Sequence, residues 1–351
     1  MNLPASIFVL LTSILYLCSN PCWGLSLDQG VTNRSPARTH DEADKQYSDR
    51  IKKTVGNHAV TRRSFGSIST ATISGATIRV DPSDARQGPY PANMILVKDP
   101  DTYEAVFYAP PPKSSDGTHP EKLPLLLILP GAGQNDQDAW SLADPQGEHR
   151  GLAPSLFASN QAPSVLYENF CVLAPYPAGK RSFYEEPRSK LLSFLNWALG
   201  QEGGAQAGIP VDRIDTDRLC LFGFSDGATL AVELATTQRF RAVVVAAYGF
   251  TGTLPSLALQ RLANVPIWVF HSADDVIYPV RYSDNLVKSL RSAAGTTTTA
   301  NDKDDLIRYT RYSKDPEGCT GSVQGHCVGI TASKSPAVYE WMLQQVTISK
   351  A

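Results

Sequence analysis

The chain carries almost no net charge: 32 Lys and Arg against 34 Asp and Glu leave -2 at pH 7. With no excess of basic residues there is no positive field to hold a phosphate backbone, so nucleic acid is not an expected partner. Beyond the first two dozen residues no apolar run approaches the roughly 18 residues that cross a bilayer, which argues against stable membrane insertion of the body of the protein. No Cys or His spacing resembles a zinc site, and neither a G-x-G-x-x-G nor a Walker-type loop occurs, so no metal or nucleotide cofactor is implied. What is present is a chain of 351 residues, 42% hydrophobic and 19% charged, long enough for one large α/β domain or two smaller ones.

Ile7 to Cys18 (IFVLLTSILYLC) is one uncharged apolar run, followed by the helix-breaking Asn20-Pro21 and by Cys22-Trp23-Gly24. The run is short for a membrane span, and small residues stand where signal cleavage needs them, so residues 1–24 are expected to be a secretory signal peptide. The mature protein is then expected to be secreted or to lie in the lumen of the secretory pathway, where Asn33-Arg34-Ser35 is a glycosylation sequon. Residues 25–77 are polar, with large apolar residues scattered singly and without period, and are expected to form a disordered leader or propeptide. Arg62-Arg63 within it is either a processing site or a pair of solvated arginines.

The folded domain is expected over residues 78–351. It opens with strand-like stretches (IRV, NMILV, TYEAVFY) punctuated by Lys98-Asp99-Pro100-Asp101, which predicts an antiparallel meander. Apolar strands then alternate with helical stretches. The strands are Leu123 to Leu129, Phe170 to Ala174, Arg218 to Phe224, Ala242 to Tyr248, Pro266 to His271 and Leu306 to Tyr312. The helices are Ser189 to Leu199, Gly227 to Thr237, Val280 to Ala294 and Ser335 to Val346. Continuous apolar strands separated by helices predict an α/β fold: a mostly parallel central sheet covered on both faces.

Gly223-Phe224-Ser225-Asp226-Gly227 is a G-x-S-x-G sequence at the end of an apolar strand and the start of a helix. In that context the turn is so tight that small flanking residues are required, and the serine hydroxyl projects from a strained backbone above the sheet edge. A serine hydroxyl is a weak nucleophile at neutral pH and needs a base, and the base needs a carboxylate to hold its tautomer. Fifty residues on, a strand ends in HSADDVIYP, which places Asp274 and Asp275 in a loop at the same sheet edge. Fifty-one residues beyond Asp275 comes Gly325-His326, between the last strand and the last helix. Only His271 and His326 follow the serine, and His271, at a strand end, reads as a satisfied structural histidine.

The LILPGAG stretch, GFSDGATLAVELA, PIWVFHSADDVIYPV, GHCVG and the closing YEWMLQQ resemble the α/β-hydrolase superfamily. The resemblance is to its secreted phospholipase/carboxylesterase and feruloyl-esterase-like branch, which includes predicted peptidases, and it runs from about Tyr103 to Val346. It implies that Asp275, four residues after the strand histidine, is the acid rather than Asp274, and that His326 after its glycine is the base. The family usually opens its oxyanion loop with His-Gly, where this chain has Pro130-Gly131.

Acyl transfer also needs donors aimed at the developing oxyanion. One is expected from the backbone N–H of Asp226, the other from Ala132 or, next to it, Gly133. Trp140, Tyr176 and Tyr184 are candidates to line a substrate pocket. Of the four cysteines beyond the signal, Cys319 and Cys327 flank His326 and are expected to form a disulfide, stabilising by about 2.5 kcal/mol. Cys171 and Cys220 read as buried hydrophobes, although neighbouring strands could bring them together. The expected function is that of a secreted serine hydrolase cleaving a small-molecule or polymer-borne carboxylic ester through Ser225, His326 and Asp275. The same triad would serve a peptidase or a thioesterase, and a silent binding protein on this fold is the alternative from another class.

Overall fold

The computed structural model describes residues 91, 93–112, 122–132, 138–176, 182–183, 188–295 and 306–348. All of them fall in the second of the two units, Met1–Thr70 and Ala71–Ala351, into which the chain divides. The expected signal peptide, the whole of the 25–77 leader with Asn33 and Arg62-Arg63, the first candidate strand at Ile78, Gly133 and Tyr184 lie outside the described residues.

Eight strands form one sheet: β1 (Met94–Lys98), β2 (Glu104–Tyr108), β3 (Leu123–Leu129), β4 (Cys171–Tyr176), β5 (Ile214–Phe224), β6 (Phe240–Ala246), β7 (Ile267–Ser272) and β8 (Ile307–Tyr312). Their order is β1-β2-β4-β3-β5-β6-β7-β8. β2 runs antiparallel to both β1 and β4, and every other pairing is parallel. The described helices are α1 (Ala153–Ala158), α2 (Ser164–Asn169), α3 (Arg188–Ala198), α4 (Asp226–Ala235), α5 (Ser256–Leu262), α6 (Arg281–Ala294), α7 (Val328–Lys334) and α8 (Pro336–Ile348).

The reason for the apolar runs is visible in β3, all seven of whose residues are buried. Leu125, Leu127 and Leu129 face a core layer that includes Phe194 of α3, Ala231 of α4 and Leu290 of α6. Leu126 and Ile128 face the opposite layer, with Phe157 of α1, Val328 of α7 and Trp341 of α8. A strand buried on both faces has no polar side to show, so period-two alternation disappears. Each fully buried Leu or Ile contributes roughly 1.5–3 kcal/mol of transfer free energy.

β5 begins at Ile214, four residues before the expected start. Its first turn reads as a loop because Asp215 and Asp217 interrupt the apolar pattern, yet Ile214 is buried and pairs with Leu123. The C-terminal region differs too: the single helix expected from Ser335 is preceded by a second, α7, so that His326 stands just ahead of α7. The parallel strands all point the same way, which brings the ends of β3, β5 and β7 and the segment after β8 to one edge.

Candidate active site

Ser225 sits between the last residue of β5 and the first of α4 with φ 57° and ψ -121°. A non-glycine residue held at positive φ stores on the order of 1–3 kcal/mol and persists only where its surroundings over-determine it. Here they do. The Ser225 N–H donates to the Ala246 carbonyl of β6 at 2.9 Å, while Gly223 and Gly227 let the strand and helix close on one another. A Cβ on Gly227 would lie 2.2 Å from the Leu129 carbonyl oxygen, and one on Gly223 would lie 2.3 Å from that of Gly227. Both clashes are with backbone, which cannot swing aside.

Three side chains from distant parts of the sequence meet at this turn. Ser225 Oγ is 2.9 Å from His326 Nε2, and His326 Nδ1 is 2.8 Å from Asp275 Oδ2. All three residues are buried. A carboxylate only accepts, so His326 Nδ1 carries the proton and Nε2 is left to accept from the serine hydroxyl. The rings of Phe224 and Tyr278 each stand with their centroids 5.4 Å from that of His326.

Asp275 has a full set of donors. Its Oδ1 accepts the N–H groups of Ile277 (2.8 Å) and Tyr278 (2.9 Å), and its Oδ2 lies 3.3 Å from His271 Nε2 as well as against His326. Burial pushes the carboxyl pKa up, but the hydrogen bonds from His271, His326 and the Tyr278 backbone outweigh it and hold the group well below the usual carboxylate range. Asp275 therefore stays ionised. His271 is fully buried, with Nε2 2.8 Å from the Tyr278 carbonyl and Nδ1 2.6 Å from Ser283 Oγ. A carbonyl can only accept, so Nε2 is its protonated nitrogen. The satisfied histidine read from its strand-end position also braces Asp275, a contact that nothing in the sequence signals.

Asp274 has a different task. Its Oδ1 accepts from Ser272 Oγ (2.5 Å) and from the Asp315 N–H (3.0 Å), binding the end of β7 to the segment after β8. Asp315 in turn accepts the Cys327 N–H at 2.8 Å, and Cys327 is disulfide-bonded to Cys319. A Cβ on Gly325 would lie 2.3 Å from the Asp274 carbonyl carbon, so only glycine, here at φ 72°, lets the histidine loop press onto the aspartate loop. The Val276 N–H donates to the Gln324 carbonyl at 3.1 Å and closes the same seam.

The loop after β3 arrives from the other side. A Cβ on Gly131 would stand 3.0 Å from Ser225 Cβ and 3.4 Å from its Oγ, a close approach the sequence did not single out. Ala132 follows and is exposed, and the Asp226 N–H begins α4. Trp140 is half-buried in the short 3-10 helix Ala139–Ala143, its backbone N–H donating to Asp138 Oδ1 at 3.0 Å. Tyr176, at the end of β4, is buried in the core with its ring 5.7 Å from that of His149.

The remaining cysteines are free and buried, and burial pushes both thiols up to about 12. β3 separates their strands, and Cys171 and Cys220 belong to opposite core layers, so they do not meet. Among the described residues one group of metal-ligand types lies close together, Asp315, Cys319 and Cys327. Its two sulfurs are bonded to each other and both carboxylate oxygens of Asp315 accept backbone N–H groups, which leaves no competent donor set.

A mostly parallel eight-stranded sheet with its serine on a strained strand-to-helix turn defines the class: the chain has the α/β-hydrolase fold. Within that class, residues 200–307 match a family described as Phospholipase/Carboxylesterase, a stretch that includes Ser225 and Asp275. Among solved structures, a thermostable esterase aligns at 21% identity with a TM-score of 0.49, over 72% of this chain and 62% of its own. The chain thus spans less than two thirds of that protein's length. Est1E from Butyrivibrio proteoclasticus aligns at 12% identity and TM-score 0.44, over 73% of this chain and 100% of its own. A putative dienelactone hydrolase from Klebsiella pneumoniae subsp. pneumoniae aligns at 13% identity and TM-score 0.39, over 70% and 91%. No curated protein matches the sequence.

Proposed function

We propose that the protein is a serine hydrolase that cleaves carboxylic esters through Ser225, His326 and Asp275. The observation that carries this reading is the continuous relay from Ser225 Oγ to His326 Nε2 (2.9 Å) and from His326 Nδ1 to Asp275 Oδ2 (2.8 Å), starting from a serine on a strained turn. His326 Nε2 takes the hydroxyl proton as Ser225 Oγ bonds to the ester carbonyl carbon. The tetrahedral oxyanion is received by the N–H groups of Asp226 and of Ala132 or Gly133. As the oxyanion collapses, the carbon–alkoxy bond breaks and the imidazolium returns its proton to the leaving alcohol. Water then enters by the same steps in reverse order, releasing the acid and free Ser225. Asp275 remains ionised throughout and stabilises the imidazolium.

The oxyanion loop's close approach to Ser225 at Gly131 supports the donor assignment, and the match of residues 200–307 to a phospholipase/carboxylesterase family supports an ester as substrate. Secretion belongs to the same proposal and is supported by the Cys319–Cys327 disulfide, a bond that persists in oxidising compartments.

The test is the intact mass of the protein after exposure to a fluorophosphonate, with hydrolysis of short p-nitrophenyl esters followed in parallel. A single adduct on the wild type, absent from Ser225→Ala, is expected, together with a loss of turnover of at least 1,000-fold in the variant. A wild type that neither labels nor hydrolyses any ester would sink the reading.

A further inference from the structure

We infer that Tyr278 is a positioning residue for this reaction, tying the residue after the nucleophile to the Asp275 loop and to the His326 ring. The inference rests on the hydrolase reading above. Tyr278 is 5% exposed and commits each of its polar groups to the site. Its N–H donates to Asp275 Oδ1 at 2.9 Å, its carbonyl accepts from His271 Nε2 at 2.8 Å, and its phenol donates to Asp226 Oδ1 at 2.5 Å. The ring stands at 76° to that of His326 with centroids 5.4 Å apart. Gly249, just beyond β6, makes room for it, since a Cβ there would lie 2.3 Å from Tyr278 Cε2.

The phenol contact has a consequence for the chemistry. Asp226 supplies an N–H to the oxyanion, and its own carboxylate, 2% exposed in residue terms, hangs from the same residue. A negative charge so placed opposes the charge that develops in the transition state, and it does so strongly where water is excluded. The Tyr278 hydroxyl holds that carboxylate in one direction and takes up part of its charge in a short hydrogen bond. The ring, together with that of Phe224, restricts the imidazole to the orientation in which Nε2 reaches Ser225. Each effect acts on the transition state rather than on ester binding, so the loss on removing the hydroxyl should fall on kcat and not on KM.

The experiment compares wild type, Tyr278→Phe and Tyr278→Phe with Asp226→Asn, using steady-state hydrolysis of a p-nitrophenyl ester, the rate of fluorophosphonate labelling, and the urea midpoint of each chain. Tyr278→Phe keeps the ring and removes the phenol's hydrogen bond to the Asp226 carboxylate. Its kcat is expected to fall at least tenfold with KM within twofold of wild type, and labelling to slow in parallel. Adding Asp226→Asn removes the charge that the phenol held, so most of the lost kcat should return; if the single variant is too unstable to assay by steady state, its rate of fluorophosphonate labelling at a temperature well below its midpoint is compared with that of the double variant. A kcat within twofold of wild type in Tyr278→Phe, a loss confined to KM, or no recovery in the double variant overturns the role. A wild type that does not label or turn over overturns the hydrolase reading itself, and that outcome is seen before any variant is compared.

Discussion

Two regions at one edge of the sheet meet the same demand, a side chain held to within a fraction of an ångström, by different physics. At the Ser225 turn the work is steric: strand, helix and the loop after β3 approach so closely that Gly223 and Gly227 have no space for a Cβ. Around Asp275 and His326 it is polar, with Ser272, Asp274, Asp315, His271 and Tyr278 forming a hydrogen-bonded seam that the Cys319–Cys327 bridge closes. Packing of backbone against backbone is short-ranged and unforgiving to added volume, whereas the buried polar seam, outside its one close approach at Gly325, fails chiefly when a partner is removed. The position of Ser225 should therefore be sensitive to size, and those of Asp275 and His326 mainly to chemistry.

The sharpest expected contrast is between neighbours in the polar seam. Asp275→Asn keeps the shape but presents a donor to His326 Nδ1, which then holds its proton on Nε2 and cannot accept from Ser225. A fall in kcat of about 10,000-fold is expected, as follows when a triad histidine is locked in the wrong tautomer. Steady-state hydrolysis at pH 8 reads this directly, and a loss under tenfold would mean that the seam does not set the tautomer.

Next in size is an effect at the steric region. Gly227→Ala places a methyl 2.2 Å from the Leu129 carbonyl oxygen, and the turn must move. Destabilisation of about 3 kcal/mol is expected from overpacking against backbone, measured by urea unfolding. An Ala variant as stable as wild type would show that the elbow is less tightly determined than its contacts imply.

The smallest effect separates the regions by pH. Asp275 is depressed in the folded state, so its contribution to stability is fully present above the unfolded value near 3.9 and is lost as pH falls towards its folded value. His149 must be separated from it: burial pushes its pKa down to about 4, so the unfolded chain takes up its proton first. That contribution, on the order of 3 kcal/mol, is present above about pH 6.5 and is lost between there and pH 4. The Asp275 share is then the loss of unfolding free energy below pH 4 that wild type shows and Asp275→Asn lacks. Equal slopes in the two chains would remove the ionised carboxylate from the seam.

Much of this organisation is legible along the chain because it depends on local pattern. The strands are continuous apolar runs, and G-x-S-x-G between strand and helix has one mechanical meaning, which the φ of Ser225 bears out. Loops bearing carboxylate and imidazole at later strand ends follow from the alternation of elements. The start of β5 was missed because pairing with β3 rescues a polar stretch that has no strand signal of its own. The helix α7 was missed because it is seven residues long and follows the disulfide loop without a capping side chain.

The sequence by itself determined the kind of sheet, the turn that carries Ser225 and the cysteine pair beside His326, since each is written in residues close together or in a burial pattern that repeats. Only the tertiary structure decided what each polar group near the site does. It gave Asp274, which the resemblance had set aside in favour of Asp275, its own partners in Ser272 and the Asp315 backbone, and set His271 beside Asp275. It set Cys171 and Cys220 on opposite faces of the sheet. It also brought Tyr278 to Asp226 across 52 residues of chain. The physical reason is that hydrophobic burial reads only period and polarity, which neighbouring residues share, whereas a hydrogen bond depends on direction, and direction exists only once the layers have packed.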